Sequence, residues 1–142
     1  MRYTSIEQIQ QLIPSQTLVE LSNDASVYDA PINFDVIENI VSMTEDKVDA
    51  YLSSRYDVPL QNTHRLVSDI VVVMVRHALY SRRPERDLPE IVKESYKNAI
   101  KELEAIRDGK ILLGINTDAS GEVIAESYAE FHSESRRSFG RC

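Results

Sequence analysis

The residues that could do chemistry are few. Glu45, Asp46 and Asp49 put three carboxylates within little more than one helical turn, and grouped carboxylates can hold a cation or relay a proton. They lack the loop geometry and ligand count that calcium wants, so a solvated acidic face is the expectation. His64, His77 and His132 are too scattered along the chain to form a metal site; His77 suits a structural histidine on a central helix. The single cysteine is Cys142. No glycine-rich phosphate loop, Cys-x-x-Cys, His-Glu-x-x-His or Ser-x-x-Lys occurs. The expectation is a protein without catalytic residues, cofactor or metal.

Two basic clusters could bind a partner. Arg82, Arg83 and Arg86 stand beside Glu85 and Asp87. They could meet a phosphate or an acidic partner, but compensation of the carbonyls ending their own helix is favoured. With Arg76 they are the only support for a second reading, a small helical DNA-binding regulator. Near the C-terminus, Arg136, Arg137 and Arg141 surround Phe139, with Phe131 upstream. Arginine mixed with aromatics is what interface anchors are made of, so this tail is expected to bind a neighbour.

Composition sets the frame for these residues. A chain of 142 residues that is 42% hydrophobic fits one domain with a packed core. One thiol and no secretory signal suit a reducing cytoplasm, and the longest apolar run, Ile70 to Val75, is far too short to span a membrane. The net charge is −7, and residues 1–60 carry the whole imbalance, with three basic against ten acidic side chains. Such a surface repels nucleic acid.

The elements that must position these residues read as helices. Thr4 and Glu7 have capping-box spacing, opening a helix lined by Ile6, Ile9, Leu12 and Ile13 and closed by Pro14. A short helix over Gln16 to Leu21 follows, then a loop from Ser22 to Asn33. Ile37, Ile40, Val41, Thr44, Val48, Tyr51 and Leu52 recur at helical steps, predicting a helix from Phe34 to Tyr56 stopped by Pro59. Thr63 to Arg82, the most apolar segment, is expected to be a central helix. Asp87 should cap a helix reaching Asp108, with Pro89 in its first turn, a stripe of Val92, Tyr96, Ala99, Leu103 and Ile106, and i,i+3 pairs Glu90/Lys93, Glu94/Lys97 and Glu104/Arg107 outside. Gly109 supplies a left-handed stop. The fold class is all-α: a bundle of four to five helices over residues 1–109 with an extended C-terminal tail over 110–142.

The segment Val48-Asp49-Ala50-Tyr51-Leu52-Ser53-Ser54-Arg55-Tyr56-Asp57-Val58-Pro59-Leu60 resembles the hallmark of the phage Mu gene product 36-like family, an aliphatic-Asp-x-Tyr-Leu-x-x-Arg-Tyr-x-x-Pro-Leu pattern ending a helix. Asp49, Tyr51, Leu52, Arg55, Tyr56, Pro59 and Leu60 carry it. Weaker matches follow in order: Tyr3-Thr4, Asp69-Ile70, Tyr96, Ala99, Leu103, Gly109-Lys110 and Arg137-x-Phe139-x-Arg141. Val71 to Val75 departs from the smaller residues expected there. The resemblance implies a virion structural protein at the head–tail junction of a tailed phage or prophage, made in the host bacterial cytoplasm. It implies an adaptor subunit in a dodecameric ring beneath the portal protein, touching a neck or tail-completion protein, with DNA passing through without sequence-specific binding and with no membrane partner. In that ring Glu45, Asp46 and Asp49 are expected to face the lumen. Another neck or tail-completion role in the same virion stays open beside it.

Overall fold

The computed structural model describes residues 1–24 and 30–114. Five helices account for it, and no strand occurs among the described residues: α1 (Ile6–Leu12), α2 (Ser15–Ser22), α3 (Phe34–Leu52), α4 (Arg65–Ser81) and α5 (Glu90–Arg107). The all-α expectation holds, with α4 as the central element in contact with all four others. The reason lies in its sequence. Val67, Ile70, Val71, Met74, Val75 and Leu79 are all buried, so α4 is apolar around much of its circumference and needs cover on several sides.

The stripes of the other long helices lie where their periods place them. Ile37, Val41, Val48 and Leu52 of α3 and Val92, Ala99, Leu103 and Ile106 of α5 are buried, while Ile40, Tyr51 and Tyr96 pack at the core's margin. Lys47 donates to Tyr96 Oη and Arg55 donates to the Arg107 carbonyl, so α3 and α5 run in the same direction. Thr63, just before α4, bonds the Arg2 carbonyl, and Arg82, just after it, bonds the Leu21 carbonyl at the end of α2.

Several boundaries differ from expectation. The first capping box belongs to Ser5 and Gln8, not to Thr4 and Glu7: the Ser5 hydroxyl accepts from Gln8 N–H while the Gln8 side chain accepts from Ser5 N–H. Thr4 is instead buried and donates its hydroxyl to Gln8. Asp87 does not cap α5, whose N-cap is Pro89 with no side-chain hydrogen bond. Arg107 turns to Asp108 rather than to Glu104. Helix α3 ends at Leu52, well before Pro59: the Leu52 carbonyl accepts from both Arg55 and Tyr56 N–H, and this turn drives Tyr56 into the core. The Val58–Pro59 peptide is cis. Gly109 is left-handed, φ 81°, as anticipated. The bundle does not stop there, because Leu113 joins the core and Ile111 packs against it.

Candidate functional site

Most of the motif residues do not lie on a surface. They form a knot at one pole of the bundle that holds the N-terminal segment, the end of α5 and the start of the C-terminal segment together. Asp49 is its centre. Its carboxylate accepts from Tyr3 Oη at 2.5 Å and from Arg2 Nη1 at 2.7 Å. Tyr3 Oη in turn accepts from Leu60 N–H at 2.9 Å, so one hydroxyl joins α3 to the segment after it. Tyr56 repeats the device, its hydroxyl accepting from Leu113 N–H at 3.1 Å. Leu52 and Leu60 fill the core beneath, and the Arg107 guanidinium lies over the Tyr51 ring.

Arg55 completes the knot from its rim. Its Nε donates to the Arg107 carbonyl at 3.0 Å, so its charge serves the C-terminus of α5 rather than that of its own helix. Gly109 lies under the same guanidinium: a Cβ there would come within 2.5 Å of Arg55 Nη2. Glycine suits this position for its positive φ, and a Cβ there would push the Arg55 guanidinium aside.

The three acidic residues correct the expectation of a solvated face. Glu45 is 1% exposed and Asp49 9%. Glu45 Oε2 accepts from the backbone N–H groups of Arg2 and Tyr3, at 2.7 and 2.6 Å, and only Asp46 stands in solvent, bonded to Arg2. A buried carboxylate needs partners, and the N-terminal segment supplies them. Glu45 and Asp49 are therefore not available to face a lumen. Glu45 Oε2 and both Asp49 oxygens are hydrogen-bonded, and among the described residues no three His, Cys, Asp or Glu side chains converge on a common point.

The local electrostatics follow from this packing. Burial, with the hydrogen bond to Asp49, pushes the Tyr3 hydroxyl up to about 12, against the opposing N–H of Leu60. The hydrogen bond to Asp46 and the charges of Asp49 and Glu45 hold the Arg2 guanidinium above its ordinary range. His77 is stacked on Tyr96, ring centroids 3.9 Å apart, and burial, aided by Lys47, lowers its pKa. It meets no carboxylate among the described residues. These groups can position a backbone, and none is paired as a nucleophile with a base.

The cluster Arg82, Arg83 and Arg86 is engaged too, though not at its own helix end. Arg83 donates to the Glu20 and Asn23 carbonyls at 2.7 and 2.8 Å, Arg82 reaches the Leu21 carbonyl and Asp24, and Arg86 reaches Glu20. All three close the C-terminus of α2. Phosphate contacts at these three arginines would have to compete with these bonds, which weakens the DNA-binding alternative and leaves it Arg76 alone, without a hydrogen-bond partner for its Nε among the described residues. The tail residues Phe131, Arg136, Arg137, Phe139 and Arg141 lie outside the described residues.

Sequence reasoning missed the partnership of Arg2 and Tyr3 with α3. The available signal was that Glu45 and Asp49 sit at i and i+4 beside the stripe of Val41, Val48 and Leu52, on the side of α3 that packs.

With this geometry in place, comparison with known proteins is specific. The family described as Bacteriophage Mu, Gp36 matches residues 3–129, a span that begins at Tyr3 and takes in the whole bundle. No curated protein matches the chain.

Proposed function

The chain belongs to the bacteriophage Mu Gp36 family, and on that premise we propose that it is a structural subunit of the head–tail connector. Copies of the helical body form a ring, a dodecamer, under the portal protein, and packaged DNA passes through the ring into the neck. The protein has no catalytic role in this reading.

The knot around Asp49 carries the proposal. It fixes Leu113, and so the exit of the C-terminal segment, to a rigid point on the body. A connector needs such a fixed exit, because a tail that bridges to a neighbour transmits position only if its root cannot move. Phe131, Arg136, Arg137, Phe139 and Arg141 are the anchors the tail brings to the portal or an adjacent subunit. Arginine suits that role because its planar fork grips carboxylates with two bonds. With Glu45 and Asp49 buried, acidity toward DNA must come from exposed side chains such as Asp35, Glu38 and Asp57.

Co-purification tests the reading. The full chain should bind oligomers of the portal protein encoded alongside it, and should leave random duplex DNA unshifted at physiological salt. Failure to bind the portal, or a salt-sensitive gel shift with DNA, would count against it.

A further inference from the structure

One face of the described bundle carries a groove. It runs between α1 and α4, has a volume of ≈ 850 Å³, and its wall includes Leu12, Arg65, Asp69, Val72 and Val73. Leu12 is 37% exposed although it belongs to the apolar side of α1. One turn beyond Val72 and Val73 on the same face of α4 stands Arg76. Its Nε is shut off from solvent and has no hydrogen-bond partner among the described residues. Neither Arg65 nor Arg76 has an acidic partner within ion-pair distance among those residues. A buried guanidinium N–H without an acceptor is costly, so Arg65 in the groove wall and Arg76 just beyond it call for carboxylates, beside the apolar side chains of Leu12, Val72 and Val73.

The chain itself carries such a segment. Glu122, Glu126 and Glu130 recur every four residues, and Ile124, Tyr128 and Phe131 recur at steps of four and three. On a helix those sets form an acidic row and an apolar row. Most of the segment falls within the family match, which extends to residue 129.

We infer that the groove between α1 and α4 receives the segment Glu122–Phe131 of a second copy, with Arg65 and Arg76 taking its glutamates and Leu12, Val72 and Val73 taking its apolar side. The lengths agree. Arg65 and Arg76 are separated by roughly 16 Å along α4, and Glu122 and Glu130 by roughly 12 Å if helical, a difference that long arginine side chains absorb. Asp69 lies between the arginines, opposite the middle of the acidic row, so Glu126 turns away from it and takes no part in the pairing, while Glu122 and Glu130 on either side meet the arginines. Groove and segment are different surfaces of one chain, so the contact is head-to-tail and propagates or closes into a ring. The choice of a second copy over the same chain rests on the connector reading above.

Disulfide trapping in the purified full-length protein tests this. Leu12→Cys with Ile124→Cys, in a Cys142→Ser background, should give dimers and a ladder of higher oligomers on mild oxidation, rising with protein concentration. Arg65→Glu with Arg76→Glu should reduce the ladder at least tenfold, and adding Glu122→Lys with Glu130→Lys should restore it. An exclusively intramolecular bridge, no bridge, or a ladder indifferent to these reversals would overturn the inference. A protein found at the head–tail junction that gives no such bridge rejects the groove pairing alone; one that bridges as expected yet is absent from the junction rejects the connector reading alone.

Discussion

Removing one oxygen atom, by Tyr3→Phe, should cost more than most core truncations of similar size. The Tyr3 hydroxyl sits in a ring that is 2% exposed, donates to Asp49 and accepts from the N–H of Leu60, itself 8% exposed. Phenylalanine fills the same volume, so packing is kept while two hydrogen bonds go. A hydrogen bond to a charged group contributes ~1.5–3 kcal/mol, and a buried donor left without an acceptor costs ~1–3 kcal/mol. The two losses share one site and do not simply add, so the expected destabilisation is about 2–4 kcal/mol. In a bundle this size that corresponds to a fall in melting temperature on the order of 10 °C. Urea unfolding followed by circular dichroism reads it directly. The pH dependence provides a second check. The folded-state pKa, about 12, lies above the ordinary value of 10.0, so the neutral hydroxyl's contribution is complete below pH 10 and is lost as pH rises toward 12. The Tyr3→Phe protein should lack that part of the alkaline loss. A destabilisation below ~0.5 kcal/mol with an unchanged alkaline limb would refute the claim that this hydroxyl ties the knot.

Three other outcomes are expected. Leu103→Ala, at a fully buried position on α5, should cost ~2–5 kcal/mol, read from the same denaturation curves. Gly109→Ala should cost the ~1–2 kcal/mol of a left-handed alanine, with the exposed Arg55 guanidinium displaced from the Arg107 carbonyl; adding Arg55→Ala should add little, which a double-mutant cycle measures. Deleting Ser133 to Cys142 should leave helicity and melting temperature unchanged in circular dichroism while weakening attachment to the portal in co-purification, and unfolding of the truncated protein would contradict the tail's assignment as a binding element.

The helices were legible because their signal is local. Ile37, Val41, Val48 and Leu52, or Val92, Ala99, Leu103 and Ile106, announce a buried stripe by spacing alone. What spacing cannot show is the partner of a long charged side chain. Arg55 and Arg82 both stand near the end of a helix, where compensation of their own carbonyls is the local expectation, yet Arg55 serves the end of α5 and Arg82 the end of α2. Glu45 and Asp49 read as solvated for the same reason, since Arg2 and Tyr3 lie more than forty residues away in sequence. The capping shift from Thr4 to Ser5 arises from two adjacent hydroxyls, each with a Glu or Gln three residues on. Only burial of Thr4 against the bundle decides between them. The motif from Val48 to Leu60 was recognisable as a pattern, but its use as a knot depends on Tyr3 and Leu113, distant partners that no local window contains.

The most direct test of the connector reading is electron cryo-microscopy of virions whose genome encodes this chain. The expected density is the helical body repeated in a ring at the head–tail junction, on the DNA axis and directly beneath the portal, with the C-terminal segments reaching a neighbour. A single copy per particle, a position away from that axis, or absence of the protein from mature virions would contradict it.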